Sequence, residues 1–428
     1  MKRLLSVIFL ICTANLWAAT YYVANTGSDS NNGTSPSTAW ATFTHADSVV
    51  GPGDTVIVES GTYTSLGCFS LYSSGTSTSP ITYRAVDYPG HGRLTGYAVI
   101  LAPTTSCQEM IHVNGNNNIF EGFEFSGANA AIEDGIKLDF PNGSSAGGQV
   151  LGNLFTLFGL VHGCSGGGPI LSGQQNAIID SNVLYANGGT PGTSGTGCQQ
   201  EDGIYINNGN GTTVTNNIVI NHGGGCVGPL SQCNVGSPLQ INDEFSGDQR
   251  NFPSNVNMSN NTVVNSGNMV YWECYLSGFV CSNVWTNNNL LVNINNFHNL
   301  TGTAITLGTI GSGTFGSGIQ FVSDLWYQGA TGFCAQGQQP GGLACPGSVS
   351  GAVTSNPLFV NNRGDLTGDY HLQAGSPAIA AGTSSGCPSH DFEGNPRTGV
   401  CTIGAYAYGG SGSAPPPNPP MGLTATVN

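Results

Sequence analysis

Acidic side chains crowd one recurrent position of this chain, and a single lysine stands among them. Glu133-Asp134-Gly135 leads into Ile136-Lys137-Leu138, and Glu201-Asp202-Gly203 leads into Ile204-Tyr205-Ile206. Asp243-Glu244 follows Leu239-Gln240-Ile241, and Glu273 follows Val270-Tyr271-Trp272. Apart from Lys2 at the N-terminus, Lys137 is the only lysine. Two chemistries use such a set. In elimination from a uronate, a Lys of lowered pKa, a Tyr or an Arg removes the proton next to the carboxylate, while Ca²⁺ or Arg neutralises that carboxylate. In glycoside hydrolysis, two carboxyl groups act as acid and base across the glycosidic bond. The residue types admit both, with Lys137, Asp134, Asp202 and Asp243 as catalytic candidates. Tyr205, Gln240, Tyr271 and Arg250 are candidates for holding substrate, through ring stacking, amide contacts and a guanidinium–carboxylate pair. Glu201, Asp202, Asp243 and Glu244, with Asp134 as a further oxygen donor, can ligate Ca²⁺. Each assignment has a plainer rival. Asp-Gly before a strand is an ordinary turn. Lys137 can pair with Glu133, and Arg250 with Asp248. His222, in Asn221-His222-Gly223, is either a catalytic imidazole or incidental to its loop.

The elements that must position these groups form a repeat. Ile136, Ile170, Ile204, Leu239, Val270 and Ile305 follow one another at steps of 34, 34, 35, 31 and 35 residues. Each opens a short apolar run bounded by Gly, Asn or Ser. A second series interleaves: Asn153-Leu154-Phe155, Asn182-Val183-Leu184, Asn217-Ile218-Val219, Asn261-Thr262-Val263 and Asn289-Leu290-Leu291. Two series at one period mean at least two strands per repeat, stacked like on like in parallel. Asn at one turn position can stack into a side-chain hydrogen-bond ladder and tolerates left-handed backbone there. The long step over 223–253 predicts a loop bulging from one coil. Strand alternation turns Ile136, Leu138, Ile204, Ile206, Leu239, Ile241, Val270 and Trp272 inward. Lys137, Leu171, Tyr205, Gln240, Tyr271 and Thr306 form one outward column, about 4.8 Å per coil.

Composition bounds the setting. Charged residues are only 7% of the 428, and net charge is −15. Such a chain repels nucleic acid and anionic membranes, so neither is expected as a partner. Lys2-Arg3, an apolar run over 4–16 and Trp17-Ala18-Ala19 read as an export signal, too short to span a bilayer. No other stretch is apolar and long enough to be transmembrane. The expectation is a secreted or cell-surface monomer. Thirteen cysteines become an even twelve once Cys12 leaves with the leader, which suggests disulfides. Near neighbours are Cys226 with Cys233, Cys274 with Cys281, Cys334 with Cys345, and Cys387 with Cys401.

The first hundred residues carry a resemblance. Tyr21-Tyr22-Val23, Gly27-Ser28-Asp29, Asn32-Gly33-Thr34, Pro52-Gly53-Asp54-Thr55-Val56, Gly61-Thr62-Tyr63, Ser74-Gly75-Thr76 and Pro80-Ile81-Thr82-Tyr83-Arg84-Ala85 occur in that order. The run resembles the opening of pectate-lyase-like β-helix proteins, notably secreted polysaccharide lyases. Asn356-Pro357-Leu358-Phe359, Tyr370-His371-Leu372, Gly375-Ser376-Pro377-Ala378, 391–397 and Ile403-Gly404-Ala405-Tyr406 resemble the end of β-helix proteins with a choice-of-anchor Q region. The resemblance implies an all-β right-handed parallel β-helix and a polysaccharide partner. It transfers no catalytic set to these positions. Trp40, Phe43, Ala46 and Val50 share one face of a short capping helix over 40–50. Asp391 and Arg397 are expected to pair and fix the other cap. The resulting map is a signal peptide at 1–19, N-terminal cap and first coils at 20–98, and coils at 99–355. A C-terminal coil and cap follow at 356–410, then a Gly/Pro-rich tail at 411–428. Cleavage of an extracellular polysaccharide, by lyase or glycosidase chemistry, and non-catalytic glycan binding both remain open.

Overall fold

The computed structural model describes residues 18–65, 67–128, 132–139, 145–158, 168–187, 202–207, 209–222, 237–242, 253–266, 270–273, 280–293, 303–308, 314–315, 317–328, 332–336 and 348–409. Three long parallel sheets of 11, 9 and 9 strands wind through them, each strand pairing with its counterpart in the next coil. One coil shows the path. Ile178–Asp180 lies in sheet A, Val183–Tyr185 in sheet B and Ile204–Asn207 in sheet C, after which Thr213–Thr215 returns to sheet A. This is the expected right-handed parallel β-helix. The two sequence series are sheets C and B. Sheet A is the third strand of each coil, beyond the minimum of two that the repeat required.

Inward residues fill the coil interior. Ile136, Leu138, Ile204, Ile206, Leu239 and Ile241 are all fully buried. Aromatic rings stack along the axis, Tyr83 on Phe120 at 5.1 Å and Phe125 on Phe155 at 4.6 Å. Stacking of like on like is what a solenoid of short strands needs, because each coil is covered only by its neighbours.

The turn between sheets A and B explains the recurrent asparagines. Asn153, Asn182, Asn217, Asn261 and Asn289 form a continuous buried ladder. Each backbone N–H donates to the next Asn Oδ1 at 3.0 Å, while each Nδ2 donates to a carbonyl of the preceding sheet A strand, as from Asn217 to Ile179 at 2.9 Å. Phe123 N–H starts the run and Asp324 ends it. The left-handed residue is the one before the ladder position: Ser181, Asn216, Asn260 and Asn288 have φ of 54–58°. Ladder and left-handed backbone are thus two adjacent residues of one turn, not a single residue doing both.

The N-terminal helix is shorter than 40–50, spanning Phe43–Asp47. Trp40 is committed elsewhere: its N–H donates to Tyr22 O and it bridges Val23. Thr42 then caps the helix, accepting from His45 N–H at 3.0 Å. Trp40, Phe43, Ala46 and Val50 are all buried, but only Phe43 and Ala46 lie on the helix, so the expected four-residue helical face is reduced to two. At the other end, 353–408 runs back along the side of the coils. Its Phe359, Tyr370, Phe392, Ile403 and Tyr406 bury the outer face of sheet B, against Leu154, Val183, Ile218, Val264 and Leu290. Arg397 and Asp391 do fix this segment, but through backbone rather than by pairing. Arg397 donates to the carbonyls of His390, Thr402, Gly404 and Ala405, whereas Asp391 accepts from Glu393, Asn395 and Ala407 N–H. The predicted Cys387–Cys401 disulfide is present, and Cys68–Cys107 joins residues 39 apart that spacing did not suggest. The other three proposed pairs involve residues outside the described set.

Candidate functional site

With sheet B covered by the C-terminal segment, sheet C keeps an outer face of its own. The turn from A to B is two residues, whereas 186–203 and 221–238 join B to C and 243–255 joins C to A. The stretch predicted as one bulge is therefore split by the strand Leu239–Asn242.

The outward column falls in register. Lys137 pairs with Leu171, Leu171 with Tyr205, Tyr205 with Gln240, Gln240 with Tyr271 and Tyr271 with Thr306. The column also extends backwards to His112, the direct neighbour of Lys137 in the preceding coil. Lys137 Nζ donates to Glu109 at 2.8 Å, not to Glu133. His112 Nε2 lies in a tight pair with Asp139. Two charge pairs thus sit on adjacent strands of one face, each partly open to solvent. Burial works against the Lys137 charge, but the Glu109 hydrogen bond and carboxylate outweigh it and hold the ammonium pKa above its usual value. Lys137 is therefore a fixed cation, the opposite of the lowered pKa that a base would need. Burial, with Glu109 nearby, also raises the Glu133 carboxyl.

Asp134 and Asp202 sit differently. Asp134 is 3% exposed and accepts the Gly168 N–H at 2.8 Å; Asp202 is 1% exposed and accepts the Ser237 N–H at 2.8 Å. Both occupy the same place in their coil, and each receives the amide that opens the sheet C strand of the next coil. With the Gln240 amide nitrogen turned toward it, Asp202 accepts at 2.8 and 2.9 Å. Gln240 is thereby committed to Asp202, and Tyr205 is 6% exposed, so neither offers open surface. Burial pushes the Asp134 pKa up to about 8, against the pull of Gly168 N–H and Lys137. His222 is wholly buried and its N–H donates to Ser266.

Asp243, Glu244, Arg250 and Glu201 lie outside the described residues, as does the side chain of Tyr271. Among the described residues no three His, Cys, Asp or Glu groups gather as a metal site. Of the Ca²⁺ candidates only Asp202 and Asp134 are described, and each already serves a backbone amide. Sequence reasoning missed Glu109, His112 and Asp139. The available signal was Ile111-His112-Val113, which alternates like Ile136-Lys137-Leu138 but stands 25 residues before it, off the main period.

No family model matches this chain, and no curated protein does. Solved structures do. A rhamnogalacturonan lyase is 16% identical at a TM-score of 0.42, over 75% of this chain and 73% of the other. The pectate lyase Pel9A is 16% identical at 0.40, over 91% and 96%. An alginate lyase from Paenibacillus sp. str. FPU-7 is 16% identical at 0.41, over 72% and 95%. These are distant likenesses, and the fold stands on its own sheets. Among the described residues no helix is long and apolar enough to cross a membrane.

Proposed function

We propose that the outer face of sheet C holds a chain of acidic polysaccharide and cleaves it by elimination. The observation that carries this reading is the adjacency of Lys137–Glu109 and His112–Asp139 on one face. Lys137, kept cationic, pairs with the uronate carboxylate and stabilises the charge that develops there. A His112 tautomer donating Nε2–H to Asp139 leaves Nδ1 as the base. Nδ1 takes the proton next to the carboxylate, the released electron pair forms a C=C bond, and the C–O bond to the neighbouring sugar breaks. The departing oxygen takes its proton from the imidazolium or from water. Of the bases that the residue types allow, a Lys of lowered pKa is set aside, because Glu109 holds the Lys137 pKa up. The buried, amide-bonded Asp134 and Asp202 favour elimination over a two-carboxylate hydrolysis. An oxidising, extracellular setting fits the Cys68–Cys107 and Cys387–Cys401 disulfides.

Pectin, alginate and glycosaminoglycans, with and without Ca²⁺, are the substrates to try. A rising absorbance of unsaturated uronate, lost in Lys137→Met and His112→Ala, is the expected result. New reducing ends without that absorbance would replace elimination by hydrolysis. Binding without turnover, unchanged in both variants, would make the protein a glycan-holding solenoid and remove the catalytic roles.

A further inference from the structure

A cleft of about 560 Å³ opens on a different face, over the N-terminal part of sheet A. Its floor is an outward column in consecutive coils, Arg84, Glu121, Leu151 and Asp180, with Ile178 beside it. One wall is the Tyr88–His91 segment, and the other is His390 and Asp391 of the C-terminal segment. The walls are tied together, since Gly92 N–H donates to Phe392 O at 2.8 Å. Tyr88 lies on the bare turns at Gly122 and Gly152, where a Cβ would come within 2.6 and 2.7 Å of its side chain. Later coils carry Ser181, Asn216, Asn260 and Asn288 at that turn position. Glycine here therefore makes room for the wall as well as for the left-handed backbone.

The floor presents both hydrogen-bond signs beside an apolar strip. Arg84, about half exposed, pairs with Glu121, which is nearly covered. Asp180 accepts from Ser181, Thr215 and Asn216 side chains, and His390 Nε2 stands 3.5 Å from it. Nδ1 of His390 is buried and has no hydrogen-bond partner among the described residues. Leu151 and the part-exposed Ile178 supply the apolar strip. Arg84 and Glu121 cancel and Asp180 leaves the floor negative, so an anionic ligand is repelled. Hydroxyl groups suit it: they donate to carboxylates, accept from guanidinium and imidazole, and leave C–H edges for Leu151 and Ile178. From Arg84 to Asp180 is three strand spacings, about 14 Å, the scale of a short oligosaccharide.

We propose that this cleft is a second ligand site and that it takes neutral sugar residues. The inference does not depend on the sheet C reading, which concerns a different face and the pairs Lys137–Glu109 and His112–Asp139. The full-length protein is titrated calorimetrically with xylo-, cello-, manno- and galacto-oligosaccharides, and in parallel with oligogalacturonate. At least one neutral series should bind saturably, and Ile178→Trp, which fills the cleft, should weaken it about tenfold or more. Arg84→Gln should weaken it too and serves if the Trp variant does not fold, while Lys137→Met should leave the affinity within about twofold. Oligogalacturonate should not compete. Failure of all four neutral series to bind, neutral binding untouched by both cleft variants, or uronate binding lost on filling the cleft would each overturn the proposal.

Discussion

Replacing Asp134 by Asn separates a structural acid from a catalytic one. Asp134 is buried, accepts the Gly168 N–H and has its pKa raised from 3.8 to about 8 by burial. A raised acid is more readily protonated in the folded chain than in the unfolded one. Its contribution to stability is therefore fully present below about pH 4 and is lost as pH rises toward 8. A shift of about 4 units at about 1.36 kcal/mol each sets a ceiling of about 5–6 kcal/mol. Relaxation and the response of nearby Lys137 reduce such ceilings, so about 1–3 kcal/mol is the working expectation. Asn keeps an oxygen for the Gly168 N–H and carries no proton to lose. Urea unfolding of both forms at intervals from pH 4 to 9 should show Asp134→Asn gaining on the parent as pH rises and matching it near pH 4. Turnover on any substrate found should stay within a few-fold, whereas loss of a proton-transfer group costs about 10²–10⁴. A stability difference that does not change with pH would refute the titration reasoning, and loss of turnover in a folded variant would return Asp134 to the chemistry.

Other expectations follow from the same contacts. Asn217→Ala strips partners from Asn182 N–H and Ile179 O inside the ladder and should cost about 2–4 kcal/mol in denaturant unfolding. Asp324, whose pKa burial lifts to about 7, ends that ladder, so Asp324→Asn should gain on the parent from about pH 4 to pH 7. His371 bonds Asp369 at 2.7 Å and Glu393 at 3.2 Å, and although burial opposes its charge these carboxylates raise its pKa. The stability it adds is full below its ordinary pKa near 6.5 and falls as pH climbs through the raised value. His371→Gln should flatten that part of the melting-temperature profile. If Glu201, Asp243 and Glu244 do complete a Ca²⁺ site with Asp202, adding EDTA should lower the melting temperature, and excess Ca²⁺ should restore it.

Period and alternation are properties of the chain itself, so the solenoid and the Lys137–Thr306 column could be read before any coordinates. Sheet A was harder to see, since strands such as Thr213–Thr215 and Ile178–Asp180 share no repeated residue type. The C-terminal segment was legible as motifs but not in its place. Its apolar residues seek the outer face of sheet B, and no local pattern announces that Leu154, Val183 and Ile218 need covering.

The acids show where sequence register stops informing. Alternation tells which side of a strand a residue faces, but not what lies over it. Asp134 lies within the strand Ile132–Leu138 and Asp202 just before Ile204–Asn207, and at both places a carboxylate meets a backbone amide, of Gly168 or Ser237, just ahead of the next sheet C strand. That amide needs an acceptor, because buried N–H groups are costly to leave unpaired. Asp134 and Asp202 therefore have a stacking role of their own, in coils that alternate with Gly168 and Ser237 at the same place. A carboxylate engaged in this way has low priority as a catalyst. Lys137 and His112 stand at positions where the stacking of coils requires no charge. Two ion pairs held side by side on such a face, each still partly open to solvent, are where a search for chemistry should start.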